Sequence, residues 1–143
     1  ILYVGRISER KRISLLYDAY NKFLDSKGEM KVKFNVVGSP LTPLDLKYDT
    51  DIRTRVWEDN RQDCFNMVGH VPYSKISDFY TTAFLHVNVS ETGSMDKTVM
   101  EALACGCPVL TSNPAFFDLL KDYPEFIIKD ERPEAIADQI SEL

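Results

Sequence analysis

The sequence contains little of what several protein classes require. It has no apolar run close to the roughly 20 residues that span a bilayer. Its formal net charge of −5 excludes the concentrated excess of Lys and Arg that a nucleic-acid surface needs. It has three cysteines, Cys64, Cys105 and Cys107, whose odd number and spacing form no disulfide framework. We therefore expect a cytoplasmic protein with reduced thiols and no metal site.

The length and composition are those of one soluble globular domain. The chain has 143 residues, enough for a substantial core, and its 44% hydrophobic and 27% charged content is ordinary. Ile1 already lies in a strand-like run. We therefore expect residues 1–143 to be a single domain of a longer protein.

Short β-rich apolar runs alternate with amphipathic segments along the whole chain. The predicted strands are residues 1–5, 32–37, 64–68, 85–89, 107–110 and 126–128. The predicted helices are residues 13–28, 45–62, 74–83, 94–105, 115–121 and 132–143, with Ser74 and Ser94 as N-caps and Gly106 as a helix stop. This alternation predicts an α/β fold, a doubly wound parallel sheet (Rossmann-like), whose ligands bind beyond the carboxyl ends of the strands.

Two of the loops at that edge carry groups suited to an anion. The loop after the first strand contains Gly5, Arg6 and Lys11 among four cations, but it lacks the several glycines of a dinucleotide fingerprint. Its cations suit a phosphate that is bound by side chains. The loop after the fourth strand contains Gly93 and leads into a helix, whose free N–H groups also attract anions.

The helix after that loop carries the most specific motif. The run Gly-Ser-Met-Asp-Lys-Thr-Val-Met-Glu-Ala-Leu-Ala-Cys-Gly-Cys-Pro-Val resembles the donor-binding motif of the retaining glycosyltransferases of family 4 (group 1), which have the GT-B fold. That family has two glutamates separated by seven residues. Glu101 matches the second, whereas Gly93 occupies the position of the first, and Glu91 is out of register. A subset of the family with Thr-Gly-Ser-x-Asp-Lys is more similar to this chain.

The resemblance implies roles for individual residues. Arg6 and Lys11 would bind the donor diphosphate beside Gly5 and stabilise the leaving group, and Glu101 would bind the ribose diol; these three charged residues are the predicted catalytic set. An ion pair between Glu101 and Lys97 is the structural alternative.

The remaining predicted donor-binding residues lie on two loops. The Gly-x-Val turn with His70 and Val71 would lie against the base, and the turn of Gly93, Ser94 and Met95 would offer backbone N–H groups. Asp96 would replace the missing glutamate, or Lys97 would add a phosphate contact. Neither His70 nor His86 is expected to be a catalytic base, and His86 is predicted to lie in the core or at an interface.

Taken together, the resemblance implies the C-terminal lobe of a GT-B enzyme. It would bind a UDP- or GDP-sugar without a required cofactor or metal. The sugar would pass with retention to a glycan, lipid-linked or small-molecule acceptor, in polysaccharide or glycolipid biosynthesis. The full-length enzyme would act in the cytoplasm or at the inner face of a membrane. An absent N-terminal domain would hold the acceptor, so the lobe alone would be inactive. A sugar-nucleotide epimerase of the same fold and a non-catalytic nucleotide-binding module are the alternatives.

Overall fold

A computed structural model describes residues 1–27, 32–90 and 93–143. Within these ranges, five parallel strands form one sheet in the order β3-β2-β1-β4-β5, with helices between successive strands. The strands are β1 (Leu2–Val4), β2 (Phe34–Val37), β3 (Phe65–Gly69), β4 (His86–Asn88) and β5 (Val109–Thr111). The helices are α1 (Ile13–Lys27), α2 (Pro43–Glu58), α3 (Tyr73–Thr82), α4 (Lys97–Ala104) and α5 (Pro133–Glu142). The predicted α/β doubly wound sheet is confirmed, and the predicted helix end near Gly28 lies outside the described residues.

The order of the strands reverses at β1. Leu2 in β1 pairs with Asn35 in β2 on one side and with His86 in β4 on the other. The loops that follow β1 and β4 therefore face each other at the carboxyl edge of the sheet. This is the topological switch point at which ligands of doubly wound sheets bind.

Both faces of the sheet are covered by helices. On one face, Tyr17 and Tyr20 of α1 pack on Phe34 and Phe65, with ring centroids 4.9 to 5.6 Å apart. On the other face, α3 and α4 cover buried strand residues such as Leu2 and Val4.

The core prediction for His86 is confirmed. Its ring is fully buried and lies edge-to-face against Tyr80 of α3, at 5.7 Å. Burial lowers the pKa of His86 to about 4, so the imidazole is neutral at physiological pH. A neutral, buried ring of this kind is part of the packing beneath α3.

The carboxyl ends of the first three strands approach one another closely. The Gly38 N–H donates to the carbonyl of Gly69, and the Gly5 N–H donates to that of Val37, each at 2.9 Å. Gly38 has φ +141°, and a Cβ there would lie 1.8 Å from the Gly5 carbonyl oxygen. Glycine is therefore required at Gly38, and the first loop starts from a rigid base.

Two predicted helix caps are wrong. Helix α3 begins at Tyr73 with Pro72 at the N-cap, so Ser74 lies inside the first turn. Helix α4 begins at Lys97 with Asp96 at the N-cap. Ser94 lies two residues before this cap, and its carbonyl accepts a hydrogen bond from the Asn113 side chain at 2.8 Å, which ties the segment before the helix to the end of β5.

The segment after β5 also differs from the prediction. Residues 126–128 contribute one isolated bridge, between Thr111 and Ile127, in place of a sixth strand. The predicted helix at residues 115–121 is reduced to a 3-10 turn at Pro114–Phe116. A second 3-10 turn at Pro124–Phe126 runs directly into the bridge and leaves no room for a longer ladder. The final helix, predicted over residues 132–143, spans Pro133–Glu142, with proline at its first position, where the missing N–H costs least.

Candidate functional site

An ion pair joins the two loops at the switch point. The Lys11 Nζ atom lies 2.8 Å from Asp96 Oδ1, and it also donates to Ser90 Oγ at 3.0 Å. Only 16% of the Lys11 side chain and 14% of the Asp96 side chain are exposed. The cation after β1 is thus held at the carboxyl end of β4.

A chain of buried hydrogen bonds supports Asp96 from below. The Asn88 amide donates to Asp96 Oδ2 at 3.0 Å, and Asn88 Oδ1 accepts from the Thr111 hydroxyl at 3.0 Å. The Asn113 backbone N–H donates to that hydroxyl, also at 3.0 Å. Asn88, Thr111 and Asn113 are all buried. The carboxylate is therefore held by the ends of β4 and β5 as well as by Lys11.

This environment keeps Asp96 ionised. Burial alone would raise the pKa of the carboxyl group, but hydrogen bonds from Lys11 and Asn88, together with the Lys11 charge, outweigh burial and lower it. The result is a fixed carboxylate beside a fixed ammonium group.

Glu101 lies in a different setting, in the cleft between α3 and α4. Its Oε1 accepts from the Tyr73 hydroxyl at 3.2 Å and its Oε2 accepts from the Tyr80 hydroxyl at 3.3 Å. Burial and the Glu101 carboxylate raise the pKa of Tyr80, so that hydroxyl remains a donor. The cleft has a volume of about 360 Å³. In the described part of the chain, the tyrosines and not Lys97 are the partners of Glu101.

The structure does not bring Arg6 and Lys11 together. Arg6 is exposed and lines an open depression of about 430 Å³ between the first loop and α2, together with Glu9 and Tyr48. The Tyr3 hydroxyl donates to the Arg6 backbone carbonyl at 3.0 Å, which fixes the start of the loop. The backbone of Arg6 is therefore fixed by Tyr3, whereas the residue itself is exposed.

The other predicted donor-binding residues lie at the rim. Gly93, with φ +62°, is exposed, as are the neighbouring Ser94, Met95 and Lys97, and His70 is exposed beyond β3. Val71 is half-buried and packs on the core beneath α3 and α4. The predicted out-of-register residue Glu91 lies outside the described residues.

Sequence reasoning missed the polar residues that support the two carboxylates. Asn88 and Thr111 are polar residues at the carboxyl ends of buried strands, and that position is the signal that could have identified them. Tyr73 and Tyr80 looked like ordinary residues of an amphipathic helix. Of the residues that the structure describes, no group of three or more His, Cys, Asp or Glu side chains is arranged to hold a metal ion. None of the helices described there has the length and apolarity to cross a membrane.

Comparison with known families is consistent with this geometry. The family described as glycosyl transferases group 1 matches the chain over residues 1–143. The chain belongs to this family. The resemblance inferred from the Glu101 motif is thereby confirmed.

One curated relative of this group 1 chain is an alpha-monoglucosyldiacylglycerol synthase of Streptococcus pneumoniae. It is 29% identical over 123 residues, which cover 85% of this chain and 26% of the relative. The chain thus spans about a quarter of the relative's length.

Solved structures share the fold of this group 1 chain at low identity. The pneumococcal O-GlcNAc transferase GtfA in complex with UDP and GlcNAc gives a TM-score of 0.81 at 20% identity, over 99% of this chain and 28% of that one. Anabaena Alr3699/HepE in complex with UDP gives a TM-score of 0.81 at 17% identity, over 99% of this chain and 37% of that one. The C-terminal domain of the group 1 protein LpcC from Francisella tularensis gives a TM-score of 0.81 at 19% identity, over 99% of this chain and 73% of that one. The fold is that of the C-terminal domain of GT-B glycosyltransferases.

Proposed function

We propose that this chain is the donor-binding lobe of a glycosyltransferase, and that it binds a nucleoside-diphosphate sugar at the switch between β1 and β4. The observation that carries the proposal is the position of Lys11, whose ammonium group lies at the adjoining carboxyl ends of these two strands. A single cation fixed at a switch point, beside the free N–H groups of a helix N-terminus, suits a diphosphate.

The diphosphate would lie between the two loops of the switch point. Lys11 would bind it directly, and Arg6 would reach it from the first loop, which starts at Gly5. The backbone of Gly93, Ser94 and Met95 precedes α4 and is exposed, so its N–H groups can contribute. Lys97, also exposed at the first position of α4, would add a phosphate contact.

Recognition of the nucleoside would fall to Glu101 and the loop after β3. The Glu101 carboxylate has two hydroxyl donors and retains further acceptor capacity, so it can bind the vicinal hydroxyls of a ribose. Val71 precedes Tyr73, one of those donors, by two residues along the chain, and this short separation supports a role for the His70–Val71 turn beside Glu101. This turn would contact the base.

The reaction would transfer the sugar to an acceptor with retention at the anomeric carbon. Charge accumulates on the departing diphosphate, and Lys11, Arg6 and the N-terminus of α4 would stabilise it. Asp96 would take the place of the family's first glutamate as an acceptor for a sugar hydroxyl. The acceptor would be bound by a further domain of the full-length enzyme. The curated relative is named for a glucosylated diacylglycerol. A diacylglycerol-based lipid, at the inner face of a membrane, is therefore the first acceptor to test.

Donor binding is testable by calorimetric titration of the complete protein. UDP, GDP and ADP, each with its glucose conjugate, form the panel; UDP is the first choice because the GtfA and HepE structures contain UDP. We expect one nucleotide to bind, and both Lys11→Ala and Glu101→Ala to weaken it. Absence of binding to every nucleotide would contradict the proposal.

The reaction itself is tested with the bound sugar nucleotide and vesicles containing diacylglycerol. Formation of a glycolipid, with its anomeric configuration read by NMR, would support a retaining transferase. An isomerised sugar nucleotide formed without consumption of acceptor would identify an epimerase instead. Binding without turnover on a broad panel of acceptors would favour a non-catalytic module.

A further inference from the structure

The proposed diphosphate site contains a carboxylate where cations and N–H groups are expected. Asp96 Oδ1 lies 2.8 Å from the Lys11 ammonium, and both side chains are largely buried. The Lys11–Asp96 pair therefore contributes almost no net charge to the place where a diphosphate would lie. A site evolved only for the tightest binding of anions would leave Lys11 without a carboxylate partner.

Asp96 is also prevented from moving away. The chain of donors runs in one direction, from the Asn113 N–H to the Thr111 hydroxyl, from Thr111 to Asn88 Oδ1, and from the Asn88 amide to Asp96. If the carboxylate rotated out, the buried Asn88 amide would lose its acceptor, which is costly. Asp96 therefore remains beside Lys11, ionised, when a ligand enters.

The two ligands of a transferase differ in charge at this point. In the sugar nucleotide, the β-phosphate is esterified to the sugar. On transfer, the bond between the anomeric carbon and the β-phosphate oxygen breaks and its electron pair remains on that oxygen. The acceptor oxygen bonds to the sugar and its proton is released. The freed terminal phosphate has a second pKa of about 6, so the product carries almost one further negative charge near neutral pH.

Resting on the proposed function, we propose that Asp96 determines specificity: held beside Lys11 by Asn88, its carboxylate cancels the preference that Lys11 alone would give to the free nucleoside diphosphate over the intact sugar nucleotide. Attraction to Lys11 is stronger for the product, because the additional charge lies on the terminal phosphate. Repulsion from Asp96 is stronger for the product for the same reason, and it offsets that attraction. Asp96 thereby keeps the spent nucleotide from being held more tightly than a new donor after each transfer.

The experiment is a calorimetric comparison of UDP with UDP-glucose on the complete protein, with GDP and GDP-mannose as a second pair. Asp96→Asn keeps the shape of the side chain, and Asn is a good N-cap for α4. We expect this variant to bind UDP more tightly, so that the ratio of the Kd for UDP to the Kd for UDP-glucose falls by about tenfold. A ratio that falls only because UDP-glucose binds more weakly would indicate a lost contact to a sugar hydroxyl and would overturn the inference. Asp96→Ser, which also removes the charge and caps a helix, should move the ratio in the same direction.

Glu131→Gln is the matched control. It removes one negative charge that lies 2.7 Å from Arg12, just after the same loop as Lys11, but Glu131 belongs to no part of the proposed site. Its Kd ratio should equal that of the wild type.

The outcomes separate the two proposals. If the wild type binds both members of a pair and Asp96→Asn changes both Kd values by the same factor, the selectivity of Asp96 is overturned and the donor site stands. If the wild type binds neither pair, the proposed function fails and this inference fails with it. A changed ratio in Glu131→Gln would also overturn the inference, because it would show a general effect of charge.

Discussion

Asp96 and Glu101 are two carboxylates on one turn-and-helix segment, yet they have different surroundings. Asp96 is ion-paired with Lys11, supported by buried amide and hydroxyl groups, and almost closed to solvent. Glu101 accepts from two neutral hydroxyls at the mouth of a cleft. Its Tyr73 donor belongs to a residue that is 76% exposed.

The difference indicates what each carboxylate can do. Asp96 is ion-paired with the Lys11 ammonium group, so its carboxylate changes how strongly that group attracts a charged ligand. Glu101 is matched to hydroxyl groups, and an exposed phenol hydroxyl can be exchanged for a ribose hydroxyl without separating an ion pair. The switch point therefore has the character of a charge site, and the cleft between α3 and α4 that of a hydroxyl site.

The largest expected effect comes from removing the cation of the charge site. Lys11→Ala should weaken binding of a nucleoside diphosphate by about 30-fold or more, because a charge-assisted contact is worth about 2 kcal/mol and Asp96 would be left uncompensated. Titration calorimetry measures this loss. Lys22→Ala, which breaks an exposed ion pair with Glu134, is the control and should bind like the wild type. If Lys11→Ala and the wild type bind the nucleoside diphosphate with equal affinity, the switch point is not a charge site and does not differ from the cleft in that respect.

The buried support of the charge site should contribute to stability. Asn88→Ala leaves the Thr111 hydroxyl without its acceptor and Asp96 without its amide donor, and it should lower the free energy of unfolding by about 2 kcal/mol. Urea denaturation measures the change. Asn66→Ala, which breaks a half-buried amide pair with Asn35 in the neighbouring strands, should cost about half as much. If Asn88→Ala loses no more unfolding free energy than Asn66→Ala, the chain of buried hydrogen bonds through Asn88 does not hold Asp96.

At the hydroxyl site, the expected effect is smaller and depends on the ligand. Glu101→Gln should weaken UDP binding by about tenfold, because a charged acceptor of ribose hydroxyls becomes a neutral one. The same substitution should have little effect on 2′-deoxy-UDP, which lacks one of those hydroxyls. Glu142→Gln, at the end of α5, carries the same change of charge and serves as the control. Equal losses for both nucleotides would contradict a ribose contact.

The smallest effect is a dependence of stability on pH at the charge site. The pKa of Asp96 is lower in the folded protein than its ordinary value of 3.8. Its ionised form therefore stabilises the fold above that value, and this contribution is lost as the pH falls through the lower pKa of the folded state. We expect the difference in unfolding free energy between wild type and Asp96→Asn to shrink as the pH is lowered from 6 to about 3.

Denaturant titrations at several pH values measure this difference. Asp138→Asn, on the exposed surface of α5, is the control for the general effect of removing a surface aspartate. A wild-type advantage over Asp96→Asn that is unchanged down to the lowest pH would contradict the ion-pair explanation.

The predictions that succeeded depend on short stretches of sequence. Alternating runs identified the five strands, and the helical spacing and Gly106 stop placed Glu101 on a helix whose family motif is now confirmed. The caps failed at Ser74 and Ser94 because a cap depends on where the chain turns. The segment at Ser94 is bound by Asn113, a residue that follows another strand, and no local pattern shows that contact.

By itself, the sequence determined the α/β alternation, the family motif around Glu101 and the presence of cations after the first strand. These follow from periodicity and residue type within a few residues of each other. Only the tertiary structure decided that Lys11 pairs with Asp96, which lies 85 residues further along the chain, and that Asn88 and Thr111 support the pair. The physical reason is the strand order: β4 inserts beside β1, and this crossover brings together side chains that no local pattern connects.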